Sequence, residues 1–268
     1  MHAFLRIKPR LVGVNWWSQH THLTTHMNVD VTTSHAVRRV TDSALGRNEV
    51  ERLIAQGGAP LHFEECDLEG VDLSRLDLGG AIFERCPLAG AIFTAATLTS
   101  TQWRRCRAGR ADFGAADLVD AVFQSCDLNN TKWRRAKLSS ASFKGSKLTG
   151  AAFEDCTTLG ISFEECPMVG AHLRRVSFRK HTLKSLDFSD ADLAGADFRE
   201  AVFDGGSLRN ATLKDAKFEG ADLRGADLSG LGLKDAQTLL GATISVDQAA
   251  AFLSGVGLRV LAGRGHSA

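Results

Sequence analysis

From Leu61 to Asp235 every fifth residue is large and apolar, and the frame never slips. Stepping by five from Phe63 to Leu233 gives 35 positions, 30 of them Leu or Phe. Trp103, Trp133 and Met168 take three more, leaving Ala108 and Thr158 as the exceptions. Two residues before each centre lies a second restricted row with 17 Ala and all six cysteines. The unit reads small, polar, Leu/Phe, variable, variable. A period of five fits neither an isolated helix nor a flat strand. It fits a chain that turns a corner every five residues and stacks coil on coil, so that a unit too small to hold a core buries one with its neighbours.

The tandem A-D-L-x-x runs, as in Ala191-Asp192-Leu193-Ala194-Gly195 and Ala221-Asp222-Leu223-Arg224-Gly225, resemble the pentapeptide-repeat proteins. The likeness implies an all-β solenoid, a right-handed quadrilateral β-helix with four units, about 20 residues, per coil. Charge patterning tests that coil independently. Residues one coil apart would sit about 4.8 Å from each other, where opposite charges attract. Within the repeats, 17 charged pairs at that separation are opposite in sign and 5 are alike. The longest expected ladder is Lys144, Glu164, Lys184, Asp204, Arg224, with Arg134, Glu154, Arg174 and Arg135, Asp155, Arg175 beside it. Phe63, Phe83, Trp103, Phe123, Phe143 and Phe163 fall on one face, and Leu68, Leu88, Leu128 and Leu148 on the next.

The domain reading follows. Residues 1–47 lack the repeat and are read as a poorly ordered extension, with Met27 as an alternative start. Residues 48–60 are expected to form a capping helix opened by Asn48 and Glu51 and closed at Gly57-Gly58. The β-helix is assigned to 61–240. Residues 241–268 supply a C-terminal helix opened by Ser245 and Gln248 and an apolar tail. By resemblance Phe252, Leu253, Val256, Leu258 and Val260 build a homodimer; the alternative is a plain cap folded on the last coil. Three irregular sites stand out: Thr158, with Leu159 beside it, predicts a bulge or a one-residue shift; Ala108 is an undersized centre; His181 intrudes on the small row.

The formal net charge is +1, which carries no global bias toward nucleic acid or membrane. No apolar run approaches the length of a membrane span, and the N-terminus lacks a secretory h-region, so a cytoplasmic location is expected. Cys66, Cys86, Cys106, Cys126 and Cys166, with Ser146 in the gap, predict a ladder of buried thiols, and Cys156 takes the same row on another face. Neither CxxC knuckles nor nucleotide, hydrolase or zincin motifs occur, so no metal, no cofactor and no catalytic residue is assigned and the chain is read as a non-enzyme.

What remains is protein binding. The resemblance implies contact with DNA gyrase or topoisomerase IV and protection against quinolones by partial DNA mimicry, with Asp187, Asp190, Asp192, Asp197, Glu200 and Asp204 as the contact patch. The rival reading is a structural or adaptor scaffold whose partner has nothing to do with DNA. Charge is banded: residues 101–150 are basic, and 61–100, 151–170 and 186–240 acidic. The basic band holds Arg104, Arg105, Arg107, Arg110, Lys132, Arg134 and Arg135 beside Trp103 and Trp133. Register makes both tryptophans core centres, and several of the cations have an acid one coil away. Inter-coil pairing is therefore expected there rather than direct nucleic-acid binding.

Overall fold

A computed structural model of the chain describes residues 37–255 and 257–261. Nine short parallel strands stack in chain order into one sheet: β1 (Arg38–Thr41), β2 (Leu61–Glu64), β3 (Ile82–Glu84), β4 (Gln102–Arg104), β5 (Val122–Gln124), β6 (Ser142–Lys144), β7 (Ser162–Glu164), β8 (Thr182–Lys184) and β9 (Val202–Asp204). From β2 onward each residue faces the one a coil later, as Phe83 faces Trp103. The other three faces join through single bridges at the same step, such as Arg107↔Asp127, Ile92↔Asp112 and Thr97↔Asp117. The fold is the expected four-sided β-solenoid.

Its corners follow from the fifth residue of each unit up to Gly220, which takes left-handed backbone, with φ of 62° at Arg75, 54° at Ala115 and 55° at Asp155. On three faces the N–H of the next residue donates to the preceding centre, as Ala91 does to Leu88 (3.0 Å). A β-turn with positive φ at its third residue has type II geometry. No β-branched or aromatic side chain stands at this position from Glu65 to Gly230, as the sterics of that region require.

Inside, the centres stack. Rings of Phe63, Phe83, Trp103, Phe123, Phe143 and Phe163 lie 4.1–5.3 Å apart. A second column of Phe93, Phe113, Trp133 and Phe153 meets the first edge to face. A buried indole needs a partner for its N–H. Thr101 and Thr131, two residues before each tryptophan, accept it at 3.0 and 2.8 Å and pass their own protons to Leu98 and Leu128 carbonyls. Ala108 is buried, in the same coil as Trp103. The cysteine ladder is present: Cys86 and Cys106 each donate a thiol proton to a carbonyl of the coil before, Phe63 and Phe83, and Ser146 does the same to Phe123. Burial pushes the Cys166 thiol up and that of Cys156 to about 12.

Both ends are capped. α1 (Arg47–Ala55) buries Val50, but its first turn is closed by Glu49, whose carboxylate accepts the Gly46 N–H at 3.1 Å. The expected Asn48–Glu51 cap is thus displaced two residues upstream, and Glu51 pairs with Arg47 instead. Residues 38–45, assigned above to the extension, belong to the solenoid: β1 pairs with β2 at a step of 23 rather than 20, because the helix is spliced into that coil. Residues 1–36, with Met27, lie outside the described residues. At the far end α2 (Leu233–Ala236) begins at Leu233, which is exposed, so Leu228 is the last buried centre. α3 (Val246–Ser254) opens on the Ser245–Gln248 box as expected. The Gln248 amide also donates to the carbonyls of Leu223 (2.8 Å) and Ala226 (2.7 Å); the Ala226 carbonyl has no backbone donor of its own among the described residues, while that of Leu223 also accepts the Ala226 N–H.

Thr158 produces neither a bulge nor a shift: the corner at Gly160 keeps its place (φ 71°) and Leu159 projects into solvent. The disturbance lies in the ladder instead. β7 and β8 pair only at Glu164↔Lys184. The N–H groups of Asp155, Thr158, Gly160, Ser177 and Thr182 donate to no backbone carbonyl, unlike their equivalents in neighbouring coils. Elsewhere a large residue in the small row is followed one coil on by a small one, as Leu76 by Ala96 and Leu186 by Gly206. Any Cβ on Gly206 would lie 2.2 Å from the Leu186 carbonyl oxygen. Here large follows large at Ile161 and His181, Val176 follows Cys156 beside them, the centre at Thr158 is underfilled, and the two coils part on that side. In hydrogen exchange, amides 155–160 and 177–182 should exchange at least several-fold faster than amides 115–120 and 137–142, the loss of one ladder bond being about 1 kcal/mol. Equal protection in both segments would show the seam to be closed.

Candidate interaction surface

The second residue of each unit points outward and is often Asp, and its role is local. On the three faces outside the β2–β9 ladder, the residue after the centre keeps an N–H that the bridges do not use. The Asp carboxylate accepts it: Asp72 from Ser74 and Asp112 from Gly114 (both 2.8 Å), Asp187 from Ser189 (2.9 Å), and Asp192 from Ala194 and Asp197 from Arg199 (both 3.1 Å). This is the Asx-turn bond that makes Asp and Asn favourable in turns. The Ser74 hydroxyl and N–H together lower the Asp72 carboxyl, and the guanidinium and N–H of Arg224 together hold Asp222 at about 2.

The six carboxylates expected to form a contact patch do not form one. They lie within one turn of the coil and therefore wind around all four faces, Asp187 and Asp190 on one, Asp192 on the next, Asp197 and Glu200 on the third and Asp204 on the face of β9. Asp192 is paired with Arg174, Asp197 with Arg199, and Glu200 with Arg179 and Lys180. Arg199 and Arg179 hold Asp197 and Glu200 below the usual carboxylate range. Asp190 accepts from Asn210 (3.1 Å), and Asp204 is exposed without an ion pair among the described residues.

Charge between coils is also arranged differently from the ladder pattern. Of the 17 opposite pairs, Glu65–Arg85, Asp117–Lys137, Lys144–Glu164, Glu164–Lys184 and Lys180–Glu200 close as ion pairs. The columns through Arg134, Glu154 and Arg174 and through Arg135, Asp155 and Arg175 do not, and Arg224 turns to Asp222 rather than Asp204. Arg104, Arg105, Arg107, Arg110, Lys132, Arg134 and Arg135 are all exposed, and none of them forms an ion pair among the described residues. Trp103 and Trp133 are fully buried, as their register requires.

At the C-terminal end Phe252 is buried against the last coil and lines an apolar hollow of about 290 Å³ with Leu233, Leu239, Ile244, Ala249 and Leu253. It serves the cap and is not free to meet a partner. Leu258 and Val260 are exposed, together with Leu233, Leu240, Val246 and Leu261; Val256 lies outside the described residues. Among the described residues no group of three His, Cys, Asp or Glu is arranged to hold a metal ion. No helix there is long and apolar enough to cross a membrane.

Two family models match the chain, one described as a pentapeptide repeat region, over residues 61–133, and one as pentapeptide repeats in eight copies, over 116–155 and 191–230. Among solved structures, a trypsin-treated variant of QnrB1, a plasmid-mediated fluoroquinolone resistance protein, superposes with a TM-score of 0.56 at 22% identity, covering 73% of this chain and 97% of that one. A second trypsin-treated QnrB1 variant gives 0.55 at 20% identity, covering 85% and 98%. No curated protein sequence matches.

If Asp197 serves its turn, Asp197→Ala should lower unfolding stability by about 1 kcal/mol, and Asp197→Asn, which keeps an oxygen for the Arg199 N–H, by less. Because its folded pKa is lowered, the stability it adds is present above the ordinary carboxylate pKa and lost as pH falls through the folded value. The gap between wild type and Asp197→Ala in urea melts should therefore close in acid. An Ala variant as stable as wild type at neutral pH would refute the structural role.

Proposed function

We propose that this chain, which belongs to the pentapeptide-repeat family, is a non-enzymatic protein-binding rod of the cytoplasm. Its partner in this reading is a type II topoisomerase, DNA gyrase or topoisomerase IV, which it shields from quinolone-type poisons. The observation that carries the binding role is the filled interior: stacked Phe, Trp and Leu side chains leave only the outside for recognition. Nine strands at about 4.8 Å make a rod on the order of 40 Å long. The choice of topoisomerase is supported by the QnrB1 proteins of the same fold, described as fluoroquinolone resistance proteins. DNA mimicry in this reading is partial, resting on Asp190, Asp204 and other acids of the 186–240 band that no cation neutralises. The use of so many Asp residues in turns favours, as the second reading, a scaffold whose partner is unrelated to DNA.

Gyrase supercoiling with increasing quinolone discriminates the two. Micromolar protein should raise the inhibiting drug dose several-fold, and an unchanged dose with the protein in excess would sink the topoisomerase reading. The exposed Leu240, Val246, Leu258, Val260 and Leu261 are proposed to meet a second copy of the chain. Sedimentation should then give twice the chain mass, with Val246→Asp/Leu261→Asp returning the monomer; a wild-type monomer at micromolar concentration would count against it.

A further inference from the structure

We propose that the face of the rod between the corners at Arg105 and Arg110, with Arg104 and Arg107, binds the phosphate backbone of duplex DNA. These four cations occupy one coil, in the run Arg104-Arg105-Cys106-Arg107-Ala108-Gly109-Arg110, where only Cys106 and Ala108 turn inward. All four are exposed and none is ion-paired among the described residues. Their surroundings are poor in available carboxylate. One coil before, Glu84 stands opposite Arg104 but is already held by Arg85 (2.6 Å) and lies 3.3 Å from His62. The same Arg85 engages Glu64 and Glu65, each at 2.6 Å. One coil after, the neighbours are Gln124, Ser125, Asp127 and Asn130, and the Asp127 carboxylate accepts the Asn129 N–H. A coil further on stands Lys147, also without an ion pair.

Guanidinium groups are suited to phosphate because they are always charged and donate in a planar fork. The amides and hydroxyl of Gln124, Asn130 and Ser125 add neutral donors of the kind that position a protein on a nucleic-acid backbone. Base recognition has no instrument here: both nearby tryptophans are buried and their N–H groups are spent on threonines. Binding is therefore independent of sequence. The acidic bands on either side repel a duplex lying along the rod, so the duplex crosses it, and contact is confined to four or five cations. The surface stands whether or not a topoisomerase is the protein partner, and it is tested with the chain and DNA alone.

Fluorescence anisotropy of the full chain with a labelled duplex of about 20 base pairs provides the test. Four to five phosphate contacts predict a log–log salt slope of about −4, or roughly a 250-fold loss of affinity between about 50 and 200 mM salt. The slope should be the same for unrelated sequences. Replacing Arg104, Arg105, Arg107 and Arg110 by Gln should abolish binding with an unchanged melting temperature, because none of the four has a structural partner within the protein core; Lys214→Gln/Lys217→Gln should leave binding intact. The proposal is overturned by no binding at low salt, by a quadruple variant that binds as wild type does, or by poly-glutamate displacing the duplex as well as unlabelled DNA does, which would mark the face as a site for acidic protein.

Discussion

A coil of this solenoid cannot satisfy its own backbone. Almost every N–H and C=O outside the turns is borrowed by the coil before or after, as Phe93 N–H by Asp112 and Asp112 N–H by Ala91. Unpaired backbone groups are costly when buried and an aggregation hazard when exposed in a row. The five-residue frame is the consequence, since an inserted residue would set every later coil out of register with its neighbour. So are the caps: Arg47 donates to the Asp72 and Ser74 carbonyls at one end, and Gln248 to those of Leu223 and Ala226 at the other. The seam between β7 and β8 shows the same dependence from the opposite side. There two consecutive bulky residues in the small row prevent the loan, and the column of rings on the face of β2–β7 ends at Phe163, resuming on another face through Phe178 at 6.0 Å.

The backbone also has first claim on the charges. An Asp in the second position of a unit is oriented by an N–H two residues on, and a neighbouring Arg often completes its neutralisation, as at Asp197 and Asp222. Acidic sequence composition thus overstates the negative field a partner would meet. The basic residues carry no such obligation, because a guanidinium or ammonium cannot accept the N–H that the turn leaves free. A cation without a carboxylate partner on this rod is therefore more informative about binding than an acid.

The period, the coil length, the aromatic columns, the thiol ladder and the C-terminal cap could all be read from the chain, because each is set by side chains repeating at a fixed step or by a local box such as Ser245–Gln248. β1 could not, because α1 is spliced into its coil and the step of 23 breaks the frame being followed. The ion-pair columns are not fixed by spacing either. Spacing fixes where two Cα atoms stand, but Arg174 and Arg224 have reach enough to choose acids at other offsets, Asp192 and Asp222. Two further signals are in the chain: the exclusion of β-branched residues from every fifth position of the repeats, which marks the left-handed corner, and the Thr two residues before Trp103 and Trp133, which marks a buried indole in need of an acceptor.

The corner positions sharpen the contrast between fold and function. A left-handed residue that is not glycine costs on the order of 1 kcal/mol, so the fold alone would favour Gly or Asn at each. Where Arg stands at a corner and finds carboxylates, as Arg85 does with three glutamates, the ion pairs offset that cost. Arg105 (φ 53°) and Arg110 (φ 61°) bear the same conformation with no such return within the protein. Arg75, Arg135 and Arg175 also stand at left-handed corners without an ion pair among the described residues; what sets Arg105 and Arg110 apart is that they occupy consecutive corners of one coil and share it with Arg104 and Arg107, so that four exposed cations stand together.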